Sequence, residues 1–266
     1  MKRVYAFWII GVICLSGFFI ANFSSAKTHT AIKDLDIYTI QPRLITEEFM
    51  PPSTLQDAAQ KLTNKFTGHL KYSDIYQYKD IITTQSVKKF GQSQIILWRG
   101  HGSWDDENKQ PIILTGRDFD ETESEPNIII QDGFYEAITP EYINKYVGDL
   151  SGSLIYLNVC ESAHNEKLIE AFLKKGAETV IGSTNTLEMN YSNNIQDMSI
   201  TLLGEINPTT NNYYTMGEAL ENAKNEYGAI DPGSGGKLVL FGNKNYRIAT
   251  VAETPVTPLA PNTGSK

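Results

Sequence analysis

The sequence predicts an α/β fold with a mainly parallel central sheet flanked by helices. Residues 95–98 and 154–159 are short apolar runs without polar alternation, typical of strands that are covered on both faces. Further strands are predicted at residues 177–183 and 237–243, and amphipathic helical patterns lie between these segments. Strands that alternate with helices favour parallel pairing, because each helix carries the chain back across the sheet.

Helix start signals support the helical half of this prediction. Residues 53–66 open with a capping-box pattern, S-x-x-Q, and apolar residues follow at helical intervals. Thr139 has the position of an N-cap, with Pro140 in the first turn of the helix that it predicts. Thr215 and Glu218 form a second capping-box pattern ahead of another amphipathic segment.

The first 26 residues have the organisation of an export signal. Two basic residues precede an uncharged run at residues 4–23, and the small residues at 24–26 suit a signal peptidase. The run is also long enough to span a bilayer. Residues 1–26 are therefore predicted to be either a cleaved signal peptide or a signal anchor that tethers the protein to a membrane. In both cases the folded part is expected outside the cytoplasm, secreted or membrane-anchored.

One medium-sized domain accounts for most of the 266 residues. We expect an N-terminal extension at residues 27–52, the folded domain at residues 53–251, and a disordered Pro- and Thr-rich tail at residues 252–266. Residues 105–132 are an acidic excursion with two short strand-like runs. Its densest part, residues 118–125, is interpreted as a solvated loop, with a structural calcium site as the alternative.

The composition excludes some classes of partner. The chain has 23 basic and 31 acidic residues, and residues 1–26 contain two of the basic ones and none of the acidic ones. The remainder, with 21 basic and 31 acidic residues, carries a net charge of −10, so nucleic acid is not expected as the main partner. Cys160 is the one cysteine beyond residue 26, so no intrachain disulfide is expected and the thiol is a candidate for reactivity.

Two reactive side chains follow strands whose ends are expected to share one edge of the sheet. His101, between two glycines, follows the strand at 95–98, and Cys160 follows the strand at 154–159 and is predicted to begin a helix. A nearby imidazole and a helix N-terminus both favour the thiolate, and the imidazole can then protonate a leaving amine. Gly102 lacks a Cβ, so its N–H and that of Cys160 could form an oxyanion hole.

These motifs resemble the caspase-like (clan CD) cysteine peptidases. The stretches that carry the likeness are "WRGHGSW", "LNVCES", "KKGAETVIGST", "TMGEALENAK" and "LVLFGNKNYRI", which together span about residues 90–248, and the first is most similar to gingipain and CHAT domains. The resemblance implies a three-layer caspase-like fold, with His101 as the catalytic histidine, Cys160 as the nucleophile, and the Gly102 and Cys160 amides as oxyanion donors. Asn243 stands where an aspartate is usual.

The same resemblance implies a substrate pocket without an obvious charge. Asn158 stands two residues before the nucleophile, where relatives that select a basic P1 residue have aspartate and caspases have glutamine. Asn158 is therefore expected to line the S1 pocket, and a basic P1 residue would need another acid, such as Asp197. Trp104 is interpreted as a packing residue, with a wall of the substrate cleft as the alternative.

The predicted function is that of an exported cysteine endopeptidase acting on protein or peptide substrates. The alternative is a secreted caspase-like binding or scaffold module whose dyad is not functional. No metal or other cofactor is expected: His164 lies four residues beyond Cys160 and could share a helix face with it, but a second pair of ligands is missing. The segment "GSGGK" at residues 233–237 precedes a strand, which excludes a phosphate-binding loop.

Overall fold

The computed structural model describes residues 35–40, 54–66, 70–74, 87–118, 128–131 and 135–249. The chain divides into two units, residues 1–31 and 32–266, and all of the described residues belong to the second. The export signal, the first residue of the predicted 53–66 helix, residues 119–125 of the acidic run and the predicted tail lie outside the described residues.

Twelve strands and five α-helices are defined within these ranges. The strands are β1 (Leu35–Ile40), β2 (Leu70–Asp74), β3 (Ile95–Arg99), β4 (Gly102–Asp105), β5 (Gln110–Asp118), β6 (Ile128–Gln131), β7 (Tyr135–Ile138), β8 (Leu154–Asn158), β9 (Thr179–Ser183), β10 (Ile206–Asn207), β11 (Asn212–Tyr213) and β12 (Leu238–Gly242). The helices are α1 (Thr54–Lys65), α2 (Pro140–Tyr146), α3 (Lys167–Lys174), α4 (Met189–Leu202) and α5 (Met216–Tyr227).

The central sheet has six strands in the order β12-β9-β8-β3-β1-β2. All of its neighbouring strands pair in parallel except β12, which runs antiparallel to β9. The prediction of a mainly parallel sheet is thus confirmed. The strand-like runs in the acidic excursion are β5 and β6, which join β4 and β7 in a separate antiparallel sheet of order β4-β5-β7-β6.

Helices cover both faces of the central sheet. Along β3, Ile95 and Leu97 belong to a core cluster with residues of α1, α4 and α5, whereas Ile96 and Trp98 belong to a second cluster with residues of α2 and α3. Because successive strand residues point to opposite faces, an unbroken apolar run is needed to fill both clusters. The result is three layers, and the apolar residues at 95–98 are fully buried.

Two of the predicted helix caps are confirmed. The Thr139 hydroxyl accepts a hydrogen bond from the Tyr142 amide at 3.0 Å at the start of α2. At the start of α5, the Glu218 amide donates to the Thr215 hydroxyl at 3.0 Å and the Thr215 amide donates to the Glu218 carboxylate at 2.8 Å. Each cap provides a partner for helical N–H groups that have none within the helix, a contribution of about 1 kcal/mol.

The predicted start of a helix at Cys160 is wrong. Helix α3 begins at Lys167, and the residues between it and Cys160 form turns. Glu161 and Glu166 have φ angles of 58° and 63°, in the left-handed region that an α-helix cannot contain. Cys160 therefore does not lie at a helix N-terminus, and His164 does not share a helix face with it.

The central sheet also begins earlier in the chain than predicted. Strand β1 lies inside residues 27–52, which were expected to be an extension, and it pairs with both β2 and β3. The Ile37 side chain is fully buried in the core cluster that contains α1. In the part of the chain that the structure describes, no helix combines the length and the apolar character needed to cross a membrane.

Candidate active site

The pairing of β3 with β8 brings the His-Gly turn and the cysteine turn to the same edge of the sheet. Arg99 is the register partner of Asn158, and the Gly100 amide donates to the Asn158 carbonyl oxygen at 3.2 Å. His101 and Cys160 each follow two residues after this last pair. Parallel strands end at a common edge, so His101 and Cys160 follow neighbouring strand ends at that edge of the sheet.

The backbones of these two turns are in direct contact at Gly102. A Cβ built on Gly102 would lie 2.2 Å from the carbonyl oxygen of Cys160 and 3.3 Å from its amide nitrogen. Any side chain at Gly102 would therefore collide with the cysteine backbone. This close approach is the structural reason for glycine here, and it puts the Gly102 residue within van der Waals reach of the Cys160 peptide.

The thiol of Cys160 is partly buried and contacts the backbone of the segment that follows β9. The Leu187 amide donates a hydrogen bond to Sγ at 3.5 Å, and the Leu187 carbonyl oxygen lies 4.0 Å from the same sulfur. Leu187 belongs to residues 184–188, which connect β9 to α4. A second link to this segment is the Glu161 amide, which donates to the Asn185 carbonyl oxygen at 3.2 Å.

The surroundings of Cys160 favour the protonated thiol. Burial raises the pKa of Cys160, and the carboxylates of Glu161 and Asp231 raise it further, whereas the hydrogen bond with Leu187 lowers it by less than these effects raise it. The helix N-terminus that was expected to favour the thiolate is absent from this turn. Activation of this thiol therefore requires a base close to it, and His101 follows the neighbouring strand.

A buried arginine, which was not singled out from the sequence, lies directly before the His-Gly turn. Arg99 is 5% exposed, and its guanidinium donates to Gln196 at 3.0 Å, to the Thr54 hydroxyl at 3.0 Å and to Asp197 at 2.5 Å. These bonds tie the end of β3 to α1 and α4. The only sequence signal was a charged residue directly after an apolar strand. Asp197, which was considered as an acid for the S1 pocket, has its charge balanced by Arg99.

Asn158, the residue expected in the S1 pocket, is part of the same polar network. Its side chain amide donates to Asn193 at 2.9 Å and to Gln196 at 3.2 Å, and the residue is only 5% exposed. Gln196 in turn donates to the Trp98 carbonyl oxygen at 3.3 Å. The amide of Asn158 is thus held against α4, and neither Asn158 nor Asp197 presents an uncompensated charge at the site.

Trp104 borders the cysteine turn from the side of the antiparallel sheet. It lies on β4, two residues after Gly102, and its ring is tilted against that of His164 with 4.7 Å between the centroids. Nearby, the Asn165 side chain and the Lys167 ammonium both donate to the Lys109 carbonyl oxygen at 2.9 Å. These contacts attach the β4–β5 hairpin to the segment that follows Cys160. No group of three His, Cys, Asp or Glu side chains among the described residues could hold a metal ion.

Comparisons with known proteins agree with this fold at low sequence identity. No protein-family model matches the chain, and no curated protein sequence matches it either. The mainly parallel sheet between two helical layers is the caspase-like fold, as predicted. Solved structures with this likeness are the Arg-specific cysteine proteinase gingipain R, with a TM-score of 0.51 and 13% identity, and the complex of the pro- and mature domains of Porphyromonas gingivalis RgpB, with a TM-score of 0.51 and 14% identity.

The alignments cover most of this chain but only part of each solved chain. Both alignments cover 82% of this chain, but they cover 48% and 49% of the two solved chains. The chain thus corresponds to about half of each gingipain chain. At this identity the likeness establishes the fold, and the chemistry has to be argued from the residues of this chain.

Proposed function

We propose that this protein is a cysteine endopeptidase in which Cys160 is the nucleophile and His101 is the general base and acid. The observation that carries the proposal is the contact between the two turns: the β3–β8 register ends at Arg99 and Asn158, two residues before His101 and Cys160, and Gly102 lies against the Cys160 backbone. The distant likeness to a cysteine proteinase adds support. A peptide or protein is the substrate class that fits this chemistry.

The reaction uses three groups of the chain. His101 accepts the thiol proton of Cys160 as the sulfur attacks the carbonyl carbon of the scissile peptide bond, and the carbonyl electrons move onto oxygen. The N–H groups of Gly102 and Cys160 donate to that oxygen. When the tetrahedral intermediate collapses, the C–N bond breaks and His101 gives its proton to the leaving amine. Water then attacks the thioester, with His101 as the base. The C–S bond breaks, the carboxylic acid product leaves, and His101 returns the proton to the Cys160 sulfur.

Substrate recognition is proposed to involve a neutral S1 region. Asn158 and Asp197 both face the Arg99 network, in which the carboxylate is paired with the guanidinium. A basic P1 residue would meet no uncompensated acid there. The expected P1 preference therefore differs from the arginine specificity for which gingipain R is named. We expect Trp104 to form one wall of the cleft, since it is partly exposed beside the cysteine turn.

Two finer points belong to the same proposal and rest on the sequence. The motif "WRGHGSW" favours a relationship to gingipain- and CHAT-type domains within the caspase-like peptidases. Residues 1–26 favour export, either as a secreted protein or with a membrane tether through residues 4–23. Detection of the protein in the medium or in the membrane fraction of expressing cells tests the second point, and retention in the cytoplasm would contradict it.

The function is tested by profiling peptide cleavage with the parent protein and with Cys160→Ala. We expect the parent to cleave members of a peptide library and Cys160→Ala to lose this activity. His101→Ala should lower kcat/KM by at least about 10²-fold, the usual contribution of a general acid–base group. His164→Ala is the matched control: this exposed histidine is also close to Cys160 in sequence and packs against Trp104, so its loss should lower kcat/KM far less than that of His101 does. Equal cleavage by the parent and Cys160→Ala would refute the proposal.

One observation favours a second candidate function, a caspase-like binding or scaffold module. Burial raises the pKa of Cys160, which describes a thiol that is unreactive at rest. A module of this kind would show no cleavage of any library member, and its Cys160 would react with iodoacetamide no faster than a buried thiol. The two candidates are therefore separated by the same profiling experiment.

A further inference from the structure

A single residue, Leu187, presents both of its backbone polar atoms to the Cys160 sulfur. The peptide bond between Leu187 and Glu188 joins the Leu187 carbonyl, which lies 4.0 Å from Sγ, to the Glu188 amide. The preceding amide, that of Leu187, donates to Sγ at 3.5 Å. In a planar trans peptide, the N–H and the C=O point in opposite directions. Whatever holds the Glu188 N–H therefore also fixes the direction of the Leu187 carbonyl at the thiol.

The group that holds this N–H is the buried carboxylate of Asp231. The Glu188 amide donates to Asp231 Oδ2 at 2.5 Å, and Asp231 is 1% exposed. The same carboxylate accepts from the Ser234 hydroxyl at 2.7 Å and from the Gly233 amide at 3.0 Å. The Ser234 hydroxyl oxygen also lies 2.6 Å from the Thr186 carbonyl oxygen, so its one proton is shared between this carbonyl and the Asp231 carboxylate, and both segments meet at Ser234.

The Gly-rich segment at residues 231–236 thus has a structural use unrelated to phosphate binding. A Cβ built on Gly233 would overlap the Glu188 carboxylate, and one built on Gly236 would overlap the Thr186 carbonyl oxygen. The missing side chains let residues 231–236 close onto residues 184–188. This brings the Asp231 charge to the far side of the peptide group that contacts the thiol.

Among the residues that the structure describes, two carboxylates act on the thiol and one histidine follows the strand next to it. Glu161 follows it on its own turn, Asp231 lies behind the peptide bond after Leu187, and His101 follows the neighbouring strand β3. Both carboxylates disfavour the thiolate. Burial opposes the ionisation of Asp231, but its hydrogen bonds outweigh burial and lower its pKa, so it is charged over most of the pH range.

We propose that Asp231 is a positioning residue for Cys160: its carboxylate holds the peptide bond between Leu187 and Glu188 so that the Leu187 carbonyl faces the sulfur as an acceptor for the S–H group. A carboxylate bound to the N–H of a peptide polarises the carbonyl on the other side, which strengthens that carbonyl as an acceptor for the S–H group. The thiol then loses its proton only when His101 accepts it. The inference deepens the proposed function, but it concerns a property of the thiol that can be measured without any peptidase activity.

The test is the pH dependence of alkylation of Cys160 by iodoacetamide in the parent, Asp231→Asn and Ser234→Ala. The asparagine that replaces Asp231 can still accept from the Glu188 amide but has no charge, so we expect the midpoint of the alkylation profile to fall by about 0.5 pH units, the effect of a unit charge beyond one peptide group. Below both midpoints the thiolate fraction rises about threefold, and the lower intrinsic nucleophilicity of the thiolate reduces the gain in rate to about twofold.

Ser234→Ala is the matched control. It removes one partner of the Asp231 carboxylate and the link to Thr186 but keeps the charge. The midpoint of its alkylation profile should stay within about 0.2 pH units of the parent, because the charge of Asp231 is unchanged. An unchanged midpoint in Asp231→Asn, or an equal shift in Ser234→Ala, would overturn the proposal. If the alkylation profiles are as expected but the parent protein cleaves no peptide, the proposed function is refuted and the role of Asp231 is not.

A second measurement uses the parent protein and does not depend on how well Asp231→Asn folds. Hydrogen exchange of the Glu188 amide, followed by NMR, should be slowed by at least about 10²-fold relative to the unfolded chain, since this N–H is bound to a buried carboxylate. Exchange at the unfolded-chain rate would show that the carboxylate does not hold this peptide group and would overturn the proposal.

Discussion

Replacement of Gly102 by alanine probes the contact between the His-Gly turn and the cysteine turn. The new Cβ would lie 2.2 Å from the Cys160 carbonyl oxygen, whereas real Cβ atoms essentially never approach another heavy atom within 3.0 Å. The neighbour is backbone, so one of the two turns has to move by at least about 0.8 Å. Overpacking of this kind costs about 1–3 kcal/mol of the free energy of unfolding.

The same displacement should impair catalysis more than it impairs folding. A shift of about 1 Å in a catalytic geometry can lower the rate about 10²-fold. We therefore expect Gly102→Ala to remain folded, to lose about 1–3 kcal/mol in urea unfolding, and to lose at least about 10²-fold in kcat/KM on the best peptide of the library.

Gly148→Ala is the matched control for this experiment. A Cβ on Gly148 would lie 3.8 Å from the Gly91 Cα, which is ordinary van der Waals contact. Its free energy of unfolding should stay within about 0.5 kcal/mol of the parent, with an unchanged kcat/KM. A Gly102→Ala protein with the stability and activity of the parent would refute the reasoning, because the two turns could not then lie as close as described.

Substitutions at three further positions test other parts of the fold. Glu161→Gly should leave the free energy of unfolding in urea within about 0.5 kcal/mol of the parent, whereas Glu161→Val should lower it by more than about 1 kcal/mol, because φ is 58° at this position; equal effects would contradict the left-handed conformation. Asp197→Asn deprives the buried Arg99 guanidinium of its carboxylate and should cost about 3 kcal/mol, and a loss under about 0.5 kcal/mol would argue against the pair. Burial opposes ionisation of Glu218, but the hydrogen bonds from Thr215 outweigh it and lower the pKa of Glu218. A lowered pKa in the folded state stabilises the fold above the unfolded-state value of about 4.3, and this stabilisation is lost as the pH falls through the folded-state value. The stability difference between the parent and Glu218→Gln should therefore vanish on acidification, and a difference that persists at about pH 2 would contradict this.

The parts of the fold that the sequence predicted are those determined by local patterns. The apolar runs that became β3 and β8 had to fill core clusters on both faces of the sheet, which leaves no room for polar alternation. The caps at Thr139 and Thr215 depend on residues only three positions apart. Strand β1 was missed because Asp36 and Thr39 break its six residues, which form neither an unbroken apolar run nor a strict alternation.

The parts that could not be predicted depend on contacts between distant segments. The left-handed conformation of Glu161 delays the helix until Lys167, although glutamate is ordinarily a helix-forming residue. The partners of Arg99 come from α1 and α4, which are about 45 and 98 positions away in the chain. Asp231 likewise acts on Cys160 through a peptide group of a third segment. The sequence pattern predicted where the thiol lies but not what surrounds it.

The role of Cys160 as a nucleophile activated by His101 is tested most directly by its reaction with a peptidyl acyloxymethyl ketone, followed by intact-mass spectrometry. We predict one adduct per chain on Cys160 and a labelling rate at least about 10²-fold lower in His101→Ala, whereas the rate in His164→Ala should fall far less. No adduct on Cys160, or an equal rate of labelling in the parent and His101→Ala, would contradict the proposed function.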